Sequence, residues 1–148
     1  MITGEGMEEN LISIQAFSAL RKSACALRYE VYGKISAGDL TVRQFAVLEA
    51  LHRTDPATVS ELAGEIALSA ATVGRLVAGL EKRNLVVRKR DEEERNVVAL
   101  TTAGGELINT LFPAHRQLVE KVMGRLTEAE QANLSRLCRR FMGRDSGA

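Results

Sequence analysis

A chain of 148 residues with a net charge of +1, 45% hydrophobic and 26% charged residues, has the composition of a folded globular protein rather than a disordered one. Its four Phe, two Tyr and no Trp imply an aliphatic core, and two widely separated cysteines, Cys25 and Cys138, exclude a disulfide framework or a zinc module. The segment MITGEGMEENLISI starts acidic and lacks the apolar run of a signal peptide. No stretch reaches about 18 apolar residues, so no membrane span and a cytoplasmic location are expected.

Only Pro56 and Pro113 interrupt the helical segments. The first helix is expected over about Leu11–Gly33, with Leu20, Ala24, Leu27 and Val31 at helical spacing. KISAGD breaks it. Thr41 with Gln44 is a capping box for a second helix that places Phe45, Leu48 and Leu51 on one face, and HRTDPA is a turn. Thr58 with Glu61 is another capping box and opens a short helix of about 59–66. Ser69 caps the next helix, about 70–83, where Val73, Leu76, Val77 and Leu80 fit the amphipathic template. Asn84 ends it, since Asn tolerates the left-handed conformation. LVVRKR and NVVALT flank the polar run DEEER and read as a β-hairpin with a charged tip. The helical period returns after Thr102 as one long helix, or two with a bend at Pro113. Thr127 with Glu130 then caps a last helix with Leu134, Leu137, Cys138 and Phe141 facing inward.

Helix, turn, helix and hairpin is the order of a winged helix-turn-helix. The fold class expected is therefore mostly α with a small β-hairpin wing, flanked by N- and C-terminal helices. The second helix of the motif turns Thr72, Gly74, Arg75, Ala78, Gly79 and Lys82 outward. One helix fits the major groove of B-DNA. Thr72–Arg90 holds Arg75, Lys82, Arg83, Arg88, Lys89 and Arg90 against the single acid Glu81. Cations along such a face neutralise phosphates and release counterions, which supplies most of the affinity. Arg75 differs, because its planar fork can pair with guanine O6 and N7. Gly74 and Gly79 each cost the helix about 1 kcal/mol, which a helix approaching another surface closely tolerates.

LTVRQFAVLEAL, TVSELAGEIALSAATVGRLVAGLEKRNLVVRKR and VVALTTAG together resemble the MarR family of bacterial transcriptional regulators, over roughly Ala19–Phe141. The L-E-K-R-x-L-V-x-R run at Leu80–Arg88 and the L-T-x-x-G at Leu100–Gly104 are the specific part. The resemblance implies one chain, 1–148, with a DNA-binding lobe over about 40–104 and dimerisation helices over about 8–36 and 105–143. It further implies a homodimeric repressor on double-stranded DNA with a pseudo-palindromic operator, released by a small phenolic or other aromatic inducer or by an oxidant. The DNA-binding residues expected are Ser69, Thr72, Arg75, Lys82, Arg83, Arg88, Lys89, Arg90 and Arg95. Two departures stand out. The family's wing Arg falls six residues before the Leu of L-T, but Glu94 stands there and the Arg is Arg95. Either the wing is one residue shorter and Arg95 keeps a minor-groove role, or that contact is altered, since a one-residue slip reverses a strand's faces. Gly74 also replaces a common Ser or Thr.

Cys25 has Arg21, Lys22 and Arg28 at helical spacing, and nearby cations favour the oxidisable thiolate, so it is a candidate redox sensor. Cys138 reads as core. Tyr29, Tyr32, Phe112 and His115 are a candidate ligand pocket, with the alternative that the aromatics pack an interface. His52 and His115 lack ligand-spaced partners, so neither a metal nor a cofactor is expected. Catalytic motifs such as G-x-S-x-G or a P-loop are absent, so no enzyme is expected. The alternative class is a winged-helix protein–protein adaptor.

Overall fold

The computed structural model describes residues 4–33 and 39–143, with side chains from Leu11 onward. Its elements are α1 (Gly4–Tyr32), α2 (Val42–Thr54), α3 (Val59–Ile66), α4 (Ala70–Lys82), β1 (Val86–Arg90), β2 (Asn96–Leu100), α5 (Thr102–Met123) and α6 (Glu128–Phe141). The KISAGD break lies, apart from Asp39, outside the described residues.

Each predicted cap forms. Thr41, Thr58 and Thr127 accept from the N–H of Gln44, Glu61 and Glu130, whose side chains accept in return from the cap N–H groups. Ser69 accepts from the Thr72 N–H. Such a cap contributes about 1 kcal/mol by satisfying an otherwise orphaned donor. Between α3 and α4 the chain bends by 108°, the geometry of a helix-turn-helix. Ala67 makes the bend in the left-handed region at φ 55°, and Asn84 ends α4 in the same region at φ 57°. One boundary differs from expectation: helix α1 begins at Gly4 and not near Leu11. Of the two readings after Thr102, the single long helix holds, since α5 runs unbroken through Pro113. Pro113 is exposed, so the carbonyl its ring leaves unpaired can reach water.

Contacts divide the chain into two compact units. One is Tyr32–His115. Its core unites Phe45, Leu48 and Leu51 of α2, Leu62 of α3, Val73, Val77 and Leu80 of α4, Val86 and Val98 of the hairpin, and Ile108 of α5. The hairpin is antiparallel, with Val86 opposite Leu100 and Arg90 opposite Asn96. Ala57 adds a bridge to the outer side of β2: its N–H donates to the Val98 carbonyl (3.0 Å), and the Val98 N–H donates back (2.7 Å). Asp55 Oδ1 accepts from the Leu100 N–H at 3.0 Å. The L-T-x-x-G motif finds its cause here. Thr101 donates its hydroxyl to the Asn84 carbonyl and accepts from the Gly104 N–H, while a Cβ on Gly104 would collide with the Leu85 carbonyl.

The other unit is Met1–Val31 with Arg116–Ala148. Arg125 clasps Glu30 through both carboxylate oxygens, at 3.1 and 2.6 Å. Val31 and Val122 are buried in this unit, but many of its larger apolar residues are exposed. Leu134, Leu137 and Phe141, expected to face inward, are exposed, and α6 buries none of its residues. Cys138, expected in the core, is half-buried beside them on an apolar groove that Ala16 and Leu20 also line. The helical period of α6 is real, but its apolar stripe is left exposed by the described residues of its own unit.

Candidate nucleic-acid interface

Helix α4 buries Val73, Val77 and Leu80 and turns the opposite face to solvent. Arg75 and Lys82 are exposed there, with Thr72, Gly74, Ala78 and Gly79 half-exposed between them. Ser69 is exposed at the helix start, its hydroxyl 2.8 Å from that of Thr72. A Cβ at Gly74 would meet nothing within 4 Å, and one at Gly79 only the Gln44 side-chain nitrogen at 3.5 Å. Packing among the described residues therefore demands neither glycine.

The predicted cations fall into two groups. Arg75, Lys82 and Lys89 form no ion pair or hydrogen bond among the described residues. The rest are engaged. Arg83 donates to the Asp39 carbonyl at 3.2 Å. Arg88 donates to the Gly74 carbonyl at 3.2 Å, with its Nε 3.9 Å from Glu81, so it links β1 to α4. Arg90 pairs with Glu94 at 3.2 Å.

Arg95 is held most closely. Its Nε lies 2.8 Å from Asp91 Oδ2 and 3.2 Å from Glu93 Oε2, and its Nη1 lies 3.6 Å from Glu61 Oε1. Asp91 organises the tip: its Oδ1 accepts from the N–H groups of Glu93 (3.0 Å) and Arg95 (2.8 Å). The Arg95 N–H, ahead of the Arg95 guanidinium, holds the Asp91 carboxyl below the usual carboxylate range. Glu94 takes the left-handed conformation at φ 63° to close the turn.

A second cluster lies in the same unit. His115 is 4% exposed among the rings of Tyr32 (5.3 Å), Phe45 (4.9 Å) and Phe112 (6.3 Å). Its Nε2 is 3.5 Å from Glu49 Oε1, and its Nδ1 is buried without a partner among the described residues. Burial, reinforced by Glu49, raises the Tyr32 phenol above its ordinary value.

The sequence profile of the MarR family matches residues 40–98. The chain is 33% identical over 111 residues to the HTH-type transcriptional repressor NicR of Pseudomonas putida, covering 74% of this chain and 70% of that one. It belongs to the MarR family. The transcriptional regulator HosA of Escherichia coli is 33% identical over 108 residues, 70% of this chain and 78% of that one. Among solved structures, BpsR of Bordetella bronchiseptica, whose DNA binding is regulated by 6-hydroxynicotinic acid, superposes with a TM-score of 0.73 at 27% identity. That match covers 86% of this chain and 98% of BpsR. MarR-family proteins are non-enzymatic DNA-binding transcriptional regulators.

As a MarR-family chain it carries the nine predicted DNA-binding residues on α4, its caps and the hairpin, all within one compact unit. Of the predicted ligand residues, Tyr32, Phe112 and His115 meet, whereas Tyr29 is 81% exposed on α1. Cys25 is exposed on α1. Sequence reasoning missed Glu61 as a partner of Arg95, and Glu49 and Phe45 as neighbours of His115. A Glu at a capping-box position signals only its local bond, and the second bond spans the fold.

Proposed function

We propose that this MarR-family regulator binds double-stranded DNA as a homodimer, reads bases with Thr72 and Arg75 of α4, and represses transcription until a small aromatic ligand releases it. The observation that carries the DNA reading is the open face of α4. Its cations Arg75 and Lys82 lack partners among the described residues, and no intramolecular neighbour demands Gly74. A face so composed suits phosphates and base edges. Ser69, Lys89, Arg83, Arg88 and Arg90 would line its flanks.

The dimer reading is supported by exposed Leu11, Ile12, Ile14 and Phe17 on α1 and Leu137 and Phe141 on α6. An apolar surface this dense marks an interface. The ligand reading is supported by the buried Nδ1 of His115, which has no partner among the described residues and lies among aromatic rings. An orphaned buried nitrogen costs on the order of 1–3 kcal/mol unless something meets it. The similarity to BpsR, regulated by a hydroxylated aromatic acid, points the same way.

Titration into a duplex from upstream of the protein's own gene, against random duplex over a salt series, tests the reading. Preference for the upstream duplex that weakens steeply with salt is expected. Arg75→Ala should then remove about 1–3 kcal/mol of discrimination, and Lys89→Ala should flatten the salt slope by about 1. A folded dimer that binds no duplex at any salt but binds a protein partner salt-insensitively would make this an adaptor.

A further inference from the structure

We propose that the wing arginine is caged by this chain's own carboxylates, which makes Glu61 and Glu93 specificity-determining residues. This rests on the DNA-binding reading of the wing and α4. Three carboxylates, of Asp91, Glu93 and Glu61, lie within 3.6 Å of one guanidinium, a local balance of −3 + 1 = −2. Arg90, the other cation at the tip, is matched by Glu94. The wing tip therefore offers DNA no free positive charge, unlike Lys89 on β1 and Arg75 on α4.

The three acids differ in role. Asp91 is structural, because two backbone N–H groups bind it and its side chain is only 16% exposed. Glu93 and Glu61 are exposed and reach Arg95 only through their charged ends, at 3.2 and 3.6 Å. Glu61 comes from α3, so the cage draws Arg95 toward the body of the lobe. An ordinary phosphate must displace these two carboxylates and then remain beside them. A narrow A/T-rich minor groove concentrates negative potential and attracts arginine strongly. The cage thus suppresses binding to random duplex more than binding to a site with such a groove. Arg95 then adds discrimination instead of general affinity.

The test is the double variant Glu61→Gln with Glu93→Gln. Gln at position 61 can still accept from the Thr58 N–H, so α3 keeps its cap. Affinity for random duplex should rise several-fold, and its salt slope should steepen by about 1, because one more phosphate is neutralised. The preference for the upstream duplex should fall. Adding Arg95→Gln should abolish the gain. Glu92→Gln, which removes one tip charge that pairs with nothing among the described residues, should change random binding far less. If wild type binds its upstream duplex and the double variant behaves identically, the cage is overturned while the DNA reading stands. A gain that survives Arg95→Gln, or that Glu92→Gln equals, also overturns it, since general charge then explains the effect. Failure of wild type and double variant alike to bind any duplex overturns the DNA reading, and the cage with it.

Discussion

In the unit Tyr32–His115, Phe45, Leu48 and Leu80 are completely buried, whereas in the unit of the terminal segments Phe17, Leu137 and Phe141 are 65%, 45% and 78% exposed. Both units have helices with regular apolar spacing. The first closes a core from three short helices, a hairpin and the start of α5, so every stripe meets another stripe of the same unit. In the second, α6 presents a full stripe and buries none of it. Periodicity tells which face of a helix is apolar, but not whether the covering surface belongs to the same chain.

The contrast can be broken most severely at Phe45. Phe45→Ala should cost about 3–5 kcal/mol, read as a lower denaturation midpoint, because the lobe has no other filling for that volume. Leu137→Glu should leave the lobe's denaturation unchanged yet drive the protein to monomer mass in sedimentation. With two half-sites no longer engaged together, binding to the upstream duplex should fall on the order of 100-fold. Unfolding caused by Leu137→Glu, or an unchanged dimer, would count against the uncovered stripe as an interface. Gly74→Ala sharpens the comparison within the lobe. With open space at its Cβ, the variant should gain about 0.5–1 kcal/mol of stability while binding its operator less well, by calorimetry and titration respectively.

The smallest effect concerns the terminal unit. The hydrogen bond from Arg125 holds the Glu30 carboxyl below its ordinary range. Its contribution is therefore present above the unfolded carboxylate's pKa and is lost as pH falls through the lower folded value. Melting temperatures of wild type and Glu30→Gln should differ slightly at neutral pH and converge in acid. A gap that persists in acid would exclude the ion pair as its source.

Much of the lobe was readable in advance because its signals are local. Thr41 with Gln44, Thr58 with Glu61 and Ser69 announce helix starts within three residues, and Asn84 announces a helix end. The hairpin followed from β-branched runs around a polar tip. What escaped was non-local. Nothing beside Glu61 reveals that its second oxygen meets Arg95, or that Arg88 spends its fork on the Gly74 carbonyl. Expecting every basic residue of the stretch to face DNA assumed that exposed cations are unoccupied. Tyr29 and Tyr32 stand close in sequence, yet neighbours three apart on α1 differ enough in direction for one to be 81% exposed and the other half-buried.

Strand β2 is hydrogen-bonded on both edges, to β1 along its length and to Ala57 at Val98. An insertion or deletion within it would misalign both partners at once and swing Val97 and Val98 to the wrong faces. Between Asp91 and Arg95 no such double constraint holds. Changes of length in this hairpin are thereby channelled to the tip, away from the core. Selection can rewrite the reach and charge of the tip over generations without disturbing the register that the core depends on, so new binding preferences can arise while the lobe stays folded.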